Sequence, residues 1–302
     1  IPEGRLSDRT AWFRMMSPSK RQGQFQGKPV QRCRHLVFVL GDQLDEHSTA
    51  LADFDPAADI VLMAEVPEES RHVWSSKVRT AFFFAAMRHF AAALEKRQLK
   101  LDYRRIGTHP FESLVAVLSD AVRKHRPQAI VVVEPGDWRV EQALLAFGRA
   151  ANVELQVRED THFLCSRSAF ADWAKDYKQL RLEFFYRMMR RRHDIMMEGD
   201  APLQGRWNFD AENRGAFSKA GPTNAPAPLH IRPDAITREA MADVEKHFAG
   251  HPGTLEDFAW PVTRKDALRA LQAFVADRLA MFGRYQDAMW TGEPYLYHSR
   301  LA

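Results

Sequence analysis

The chain of 302 residues has few cysteines and no long apolar run, and each absence excludes a class of protein. Its two cysteines, Cys33 and Cys165, are too few for a disulfide framework or for a metal cluster of their own. No stretch approaches the roughly 18 apolar residues of a membrane span. The N-terminal region is polar and basic and lacks the apolar centre of a signal peptide. We therefore expect a cytoplasmic protein with reduced thiols and no membrane association.

Familiar catalytic motifs are also missing. No Gly-rich phosphate loop and no G-x-G-x-x-G pattern follows a predicted strand. There is no Ser-His-Asp arrangement, no H-E-x-x-H motif and no cysteine-pair metal motif, and the 12 histidines are scattered without ligand spacing. If the chain belongs to an enzyme, its chemistry is expected in a cofactor or beyond residue 302, with no catalytic or metal-binding residue within the chain.

What is present is the composition of a globular protein, with 45% hydrophobic and 27% charged residues. The length suggests two domains. Lysine and arginine number 43 against 39 aspartates and glutamates, which gives a net charge of +4. That excess permits a polyanionic partner without requiring one.

Predicted strands and helices alternate through the first half of the chain. The predicted strands are 36–40, 59–66, 101–106, 129–135 and 153–157, and the predicted helices are 75–98, 111–125 and 141–152. Short apolar runs rich in β-branched residues are typical of strands buried in a parallel sheet. The third strand alternates in polarity and is expected nearer an edge. The pattern predicts an α/β fold with a doubly wound, parallel five-stranded sheet.

From residue 166 the character changes, and no further strand is expected. The predicted helices are 168–176, 182–197, 237–248 and 263 to about 289, and residues 199–228 form a long Gly-, Pro- and Asn-rich linker. We predict a disordered or non-native extension (1–33), an α/β domain (34–165), a helical and irregular interdomain linker (166–230) and the first helices of a truncated all-α domain (231–302). Because the chain begins with Ile and stops as a new segment starts, we expect a fragment.

Polar side chains follow three of the predicted strands. Gly41, Asp42 and Gln43 follow the first strand, and Glu65 and Glu69 follow the second. In open parallel sheets, ligands bind in the crevice at the carboxyl edge. Gly41 would let the backbone approach a ligand, and the carboxylates could hold ribose or ribityl hydroxyls. The alternative is an ordinary turn with solvated carboxylates.

The turn after the fourth strand reaches the same edge. There Trp138 could stack on a planar ring or pack as a half-buried residue, and the sequence favours neither.

A basic stretch occupies residues 178–192, with six basic side chains against the single acid Glu183. The six are Lys178, Arg181, Arg187, Arg190, Arg191 and Arg192. Apolar residues are interleaved with them, so a helix here could pack one face inward and run along a phosphate backbone with the other. The alternative is a solvated helix face. Residues 206–214 contain a Trp, a Phe and two Arg, which predicts that this part of the linker is pinned to a surface.

The order of five motifs resembles a known family. Residues 40–44 (LGDQL), 84–90 (FAAMRHF), 134–139 (EPGDWR), 186–192 (YRMMRRR) and 205–214 (GRWNFDAENR) carry the likeness. Together they resemble the bacterial photolyase-related proteins, the iron–sulfur members of the photolyase/cryptochrome family, which include prokaryotic (6-4) photolyases. The similarity extends from about residue 35 to the last residue.

The resemblance implies three cofactors. An N-terminal Rossmann-like domain would hold a 6,7-dimethyl-8-ribityllumazine antenna against Gly41, Asp42 and Gln43, and with Glu65 and Glu69, while Phe83 could crowd that pocket. A helical domain would carry FAD and a 4Fe–4S cluster. The residues that look like part of the FAD site are Tyr285, His298, Ser299 and Leu301. Cys33 and Cys165 match no cluster ligand.

The function implied by this resemblance is light-driven repair of a (6-4) photoproduct in damaged DNA, by a full-length protein expected to be a monomer. One alternative is a cryptochrome-like blue-light photoreceptor without repair activity. Another is a free-standing nucleotide- or flavin-binding α/β module.

Overall fold

The computed structural model describes residues 33–222 and 225–299 of the chain. The strands are β1 (His35–Phe38), β2 (Ile60–Ala64), β3 (Leu101–Arg104), β4 (Ala129–Val133), β5 (Glu154–Arg158), β6 (Met197–Glu198) and β7 (Ala201–Pro202). The helices are α1 (Pro67–Arg71), α2 (Lys77–Lys96), α3 (Leu114–His125), α4 (Trp138–Ala151), α5 (Arg167–Ala174), α6 (Leu182–His193), α7 (Ala235–His247), α8 (Arg264–Asp277) and α9 (Leu279–Tyr285).

The first five strands form one parallel sheet in the order β3-β2-β1-β4-β5. The central strand β1 pairs on both sides, with Leu36 opposite Ile60 on β2 and opposite Ile130 on β4. The more polar strands β3 and β5 lie at the edges. The predicted α/β class and the five-stranded parallel sheet are therefore confirmed.

Successive side chains of the central strands point to opposite faces of the sheet, so they pack into two separate cores, one on each face. Val37 packs with α2 on one face, and Leu36 and Phe38 pack with α3 and α4 on the other. All three are essentially inaccessible to solvent. Burial of such a side chain contributes about 1.5–3 kcal/mol, so the paired cores fix the sheet and the turns at its carboxyl edge.

The helix α7, which follows the linker, packs against α2. Ala240, Val244 and Phe248 join the same apolar core as α2. Ion pairs between basic residues of α2 and acidic residues of α7 surround this contact, among them Arg88–Asp243 at 2.7 Å and Lys77–Glu245 at 2.6 Å. Residues 235–248 thus share a hydrophobic core with the sheet.

The predicted helix over residues 263–289 is wrong in its extent, because the structure divides it into α8 and α9. Thr263 caps α8, as its capping-box pattern predicts, by accepting from the amide of Asp266. Arg278 then leaves the helical conformation (φ −127°, ψ −31°). Its buried guanidinium donates to the carbonyl oxygens of Pro226 and His298, at 2.5 and 3.1 Å. These contacts with other segments replace the continuation of one straight helix.

The predicted helix over residues 182–197 is too long, and the expectation of no further strand is wrong. The helix α6 ends at His193, and Asp194 takes a left-handed conformation (φ 52°). Arg190 turns back to donate to the carbonyl oxygens of Ile195 and Met196. The short antiparallel pair β6–β7 follows, and two-residue strands are too short to show a periodic pattern.

The helix α4 begins three residues before its predicted start at Glu141. Asp137 caps it by accepting from the amide of Arg139 at 2.7 Å. Trp138 is therefore the first helical residue, and its side chain is 72% exposed.

None of the helices in the described ranges combines the length and the apolar character that crossing a membrane requires.

Candidate functional site

The candidate site lies at the carboxyl edge of the sheet between β1 and β4, where the strand order implies a crevice. The chain passes from β1 to β2 on one side and returns to add β4 on the other, so the order of the strands reverses here. Ligands in open α/β sheets bind at such a switch point. Gly41, Asp42 and Gln43 lie in the turn after β1. The Gln43 side-chain amide donates to the carbonyl oxygen of Glu134, at 2.9 Å, and joins the two turns.

Gly41 has a packing role as well as a place in this turn. A Cβ atom at Gly41 would lie 3.1 Å from the Met87 sulfur and 3.5 Å from the ring of Phe83. The missing side chain therefore lets the turn and α2 approach each other closely. Phe83 lies beside Gly41 at this point, and the family resemblance implies that its side chain could crowd a pocket here.

Asp42 is a carboxyl group of the crevice whose pKa lies above its ordinary value. A Cβ on Gly136 would lie 3.7 Å from an Asp42 carboxylate oxygen, so the side chain reaches towards the turn after β4. Although Asp42 is exposed to solvent, neighbouring protein atoms partly desolvate its carboxyl group and raise its pKa, and the charges of Glu69, Asp160 and Asp137 raise it further. A carboxyl group of this kind can accept or donate a hydrogen bond to a hydroxyl-rich ligand.

Glu69 lies at the rim of the crevice. Both of its carboxylate oxygens accept from the same guanidinium nitrogen of Arg139, at 3.0 and 2.9 Å. Arg139 also pairs with Asp137 at 3.4 Å. Glu69 therefore bridges α1 and α4 while its side chain remains partly exposed, and it keeps unused acceptor capacity towards the crevice.

Glu65 differs from the other candidates, and the structure corrects the expectation that it holds a ligand. Its side chain is fully buried. One oxygen accepts from Arg88 at 2.7 Å and from the Tyr103 hydroxyl at 2.5 Å, and the other accepts from Arg88 at 2.8 Å and from the Ile106 amide at 2.9 Å. Because both oxygens are occupied within the protein, Glu65 anchors α2 to the sheet.

Arg88 and Tyr103 are the partners that sequence reasoning missed. A signal for Arg88 was available, since its spacing from Phe84, Ala91 and other apolar residues places it on the buried face of the helix. A charged residue at such a position requires a buried partner. Tyr103 gave no comparable signal, because a tyrosine on an edge strand is common.

The candidates near residue 300 collect around α9. The ring of Tyr285 stacks on Phe217, with 4.5 Å between centroids, and on Tyr297 at 5.6 Å. His298 meets Phe282 edge-on at 5.7 Å. Ser299 lines a small cavity beside α8. Leu301 lies outside the described residues.

The residues present do not fit a 4Fe–4S cluster. Cys33 is buried, and its thiol donates to the carbonyl oxygen of His35 at 3.0 Å. Burial raises the pKa of Cys33 to about 11, with a further contribution from the charge of Asp59, whereas a cluster ligand is a thiolate. In the part of the chain that the structure describes, no three His, Cys, Asp or Glu side chains are grouped to hold a metal ion.

The structure separates the six basic residues of the stretch 178–192 into two groups. Arg190 is buried, and Arg187 is paired with Glu183 at 2.5 Å. The remaining four are exposed, and none has a carboxylate partner among the described residues: Lys178, Arg181, Arg191 and Arg192. These four define the exposed basic surface of α6 and the residues before it.

The linker packs against this helix through Trp207. The guanidinium carbons of Arg187, Arg190 and Arg191 lie 5.4, 5.1 and 4.7 Å from the centre of the indole. Asn208 donates to Glu183 at 3.3 Å. The structure thus agrees with the prediction that residues 206–214 are pinned to a surface.

The fold and these motifs together define a class of protein. Residues 37–260 match the sequence model of the family described as deoxyribodipyrimidine photo-lyase-related protein, and the chain belongs to that family.

Two relatives show how far the likeness extends. Over 270 residues the chain is 41% identical to the (6-4) photolyase of Agrobacterium fabrum, an alignment that covers 88% of this chain and 52% of that protein. It is also 20% identical over 190 residues to an uncharacterized protein of Acanthamoeba polyphaga mimivirus, which covers 60% of this chain and 94% of the viral protein. The chain spans about half the length of the photolyase that it matches.

Proposed function

We propose that the whole protein is a light-driven DNA photolyase that repairs the (6-4) photoproduct, with a chromophore in the crevice between β1 and β4. The observation that carries the proposal is the switch-point crevice with Gly41, Asp42 and Gln43, in a chain of the photolyase-related family. The 41% identity to a (6-4) photolyase supports the choice of lesion.

The crevice residues fit a ribityllumazine antenna. The perturbed carboxyl group of Asp42 and the free acceptor capacity of Glu69 suit ribityl hydroxyls. Gln43 is fixed by its bond to Glu134, so its side-chain oxygen is held in one orientation. Phe83 and Met87 supply an apolar wall against a flat ring.

A reduced flavin, if bound, would supply the light-driven electron transfer to the pyrimidine lesion. This chain's part in holding FAD would be to present Tyr285, His298 and Ser299 from α9 and the segment after it. Tyr285 packs in a cluster of three rings with Phe217 and Tyr297, and such packing suits a cofactor site. The 4Fe–4S cluster expected from the resemblance would need ligands beyond this chain.

DNA would approach the exposed basic surface formed by Lys178, Arg181, Arg191 and Arg192. The protein must hold a flexible or flipped-out lesion while it binds the DNA backbone. Contacts to the backbone phosphates come from Lys and Arg side chains that are not paired with carboxylates. The four residues supply charge without sequence readout, which suits an enzyme that finds damage in any sequence.

The test is a repair assay with the complete gene product, given duplexes that carry one (6-4) photoproduct or one cyclobutane dimer, in light and in darkness. We expect loss of the (6-4) lesion in light alone. Loss of the cyclobutane dimer instead would overturn the assigned lesion. Bound flavin without repair of either lesion would indicate a photoreceptor, and a protein without any chromophore would leave only a nucleotide-binding module.

A further inference from the structure

Three arginines of α6 have their guanidinium groups close to the ring of the linker residue Trp207. Arg190 and Arg191 lie three and four residues after Arg187, so each is a neighbour of Arg187 on the helix surface. Their guanidinium carbons lie 4.7–5.4 Å from the indole centre. Guanidinium groups at this distance from an indole face are attracted by its quadrupole.

The three arginines differ in what their N–H groups bind. Arg190 is buried and donates to two carbonyl oxygens of the turn after α6. Arg187 donates to Glu183 at 2.5 and 2.8 Å. Arg191 is exposed, and within residues 33–222 and 225–299 no oxygen accepts from its side chain. Of the three arginines on the ring, Arg191 alone has all of its N–H groups unused by the described residues, and it is also the exposed one.

This arrangement prepares Arg191 for a phosphate. A guanidinium that lies over an aromatic ring uses its face for the contact, and the N–H groups in its plane stay available for a bidentate bond to an oxyanion. A guanidinium already held in one place also loses less rotamer freedom when it binds.

Trp207 is itself held in place by its neighbours in the linker. Asn208 donates to Glu183 on α6 at 3.3 Å. Arg206 lies over the ring of Phe209 at 4.7 Å and pairs with Glu212 at 2.8 Å. The turn around Trp207 is therefore closed by its own contacts, and these account for the Trp, Phe and Arg content of residues 206–214.

We propose that Trp207 is a positioning residue that holds the guanidinium of Arg191 ready to bind a phosphodiester of the DNA backbone. This inference rests on the proposed function, since DNA is the polyanion that the basic surface would meet. Arg187 and Arg190 are assigned a structural part, in that they fix the ring and the turn after α6.

The test is a double-mutant cycle on the complete protein, with an undamaged 20-base-pair duplex as the probe and fluorescence anisotropy at several salt concentrations. Arg191→Gln is expected to weaken binding and to reduce the slope of log K against log salt by about 0.9, the loss of one phosphate contact. Trp207→Leu is expected to weaken binding about threefold, and the double variant to bind no more weakly than Arg191→Gln. Trp207→Phe keeps an aromatic face and should restore most of the affinity.

Arg192 provides the matched control, because it is exposed on the same helix and is not placed over Trp207. The effects of Arg192→Gln and Trp207→Leu are expected to multiply. If the effects of Arg191→Gln and Trp207→Leu multiply in the same way, or if Trp207→Leu leaves binding unchanged, the positioning role is overturned.

Failure of the inference and failure of the proposed function are distinguishable. If the protein repairs the (6-4) lesion in light but Arg191→Gln binds the duplex as the wild type does, only the assignment of Arg191 and Trp207 fails. A wild-type protein that neither repairs the lesion nor binds the duplex would overturn both.

Discussion

Glu65, Arg88 and Tyr103 form a buried polar cluster at the carboxyl end of β2. Burial and the charge of Glu65 raise the pKa of Tyr103, so its hydroxyl stays protonated and can donate. Arg88 continues the cluster to Asp243 on α7 at 2.7 Å. Since every member depends on the others for its hydrogen bonds, removal of one leaves a buried charge poorly solvated.

Tyr103→Phe tests this cluster with a small change of volume. We expect a loss of about 1.5–3 kcal/mol in the free energy of unfolding, because the variant removes a hydrogen bond to a buried carboxylate. Urea denaturation measures it, with Tyr177→Phe on the exposed surface as the control. Equal stability of the Tyr103 and Tyr177 variants would show that the 2.5 Å contact contributes nothing.

The contribution of Asp102 to the stability of the fold is expected to depend on pH. Burial acts to raise its pKa, but hydrogen bonds from Arg104, His125 and Lys124 prevail and hold the pKa well below the ordinary value of 3.8. The carboxylate therefore stabilises the fold at pH values above about 4, and this stabilisation is lost as the pH falls through the folded-state pKa.

Asp102→Asn should accordingly cost about 1.5–3 kcal/mol at pH 7, and the difference from the wild type should shrink as the pH is lowered below about 4. Denaturation curves between pH 2 and pH 7 measure it. Asp45→Asn, in an exposed loop, serves as the control. A difference that stays constant over this range would contradict the assigned hydrogen bonds.

At the scale of single residues, the turn at the crevice could be predicted from the sequence. Which carboxylates are hydrogen-bonded within the protein could not. Gly41, Asp42 and Gln43 could be placed because a glycine ended an apolar strand. The hydrogen bonds that Glu65 accepts within the protein could not be predicted, since the donors Arg88 and Tyr103 are 23 and 38 residues away in sequence. Only the packing of α2 over β3 brings them together.

Among the described elements, α7 and α2 form the most extensive contact between two helices. Three apolar residues of α7 enter the sheet's core, and Arg105 adds an ion pair to Glu239 at 2.5 Å. These contacts are expected to hold α7 on the sheet whether or not the linker is continuous.

A single cut in the linker tests this. A protease site inserted after the exposed Lys219 should allow cleavage while the two pieces remain together on gel filtration in native buffer. They should separate in urea, when the core of α2 and α7 unfolds. Separation in native buffer would mean that the contacts of α7 are too weak to hold it without the linker.

The strands and most helices could be predicted because their apolar residues repeat at two or about 3.6 positions. The division between α8 and α9 could not, because Arg278 meets Pro226 and His298 from other segments. The end of α6 depends in the same way on the carbonyl groups that Arg190 finds after the helix. In both places a buried arginine decides the boundary, and its acceptors are invisible to local periodicity.

At the scale of the whole molecule, the helix α8 keeps apolar side chains exposed. Leu268, Leu271 and Val275 on α8 are 47%, 42% and 52% exposed. The alignment with the photolyase covers 52% of that protein, so the activity proposed here belongs to the whole protein. For that proposed activity, this chain would contribute the sheet, its crevice and the basic surface.

In the proposed function, light collected by a chromophore at the crevice drives repair of DNA. The most direct measurement is an action spectrum, the rate of (6-4) lesion repair at each wavelength, for the complete protein, for Asp42→Leu and for the control Asp45→Leu. We predict that repair by the wild type and by the control follows a flavin band and a second chromophore band, and that Asp42→Leu loses the second band alone. Repair that proceeds equally in darkness, or an action spectrum unrelated to any bound chromophore, would contradict the account.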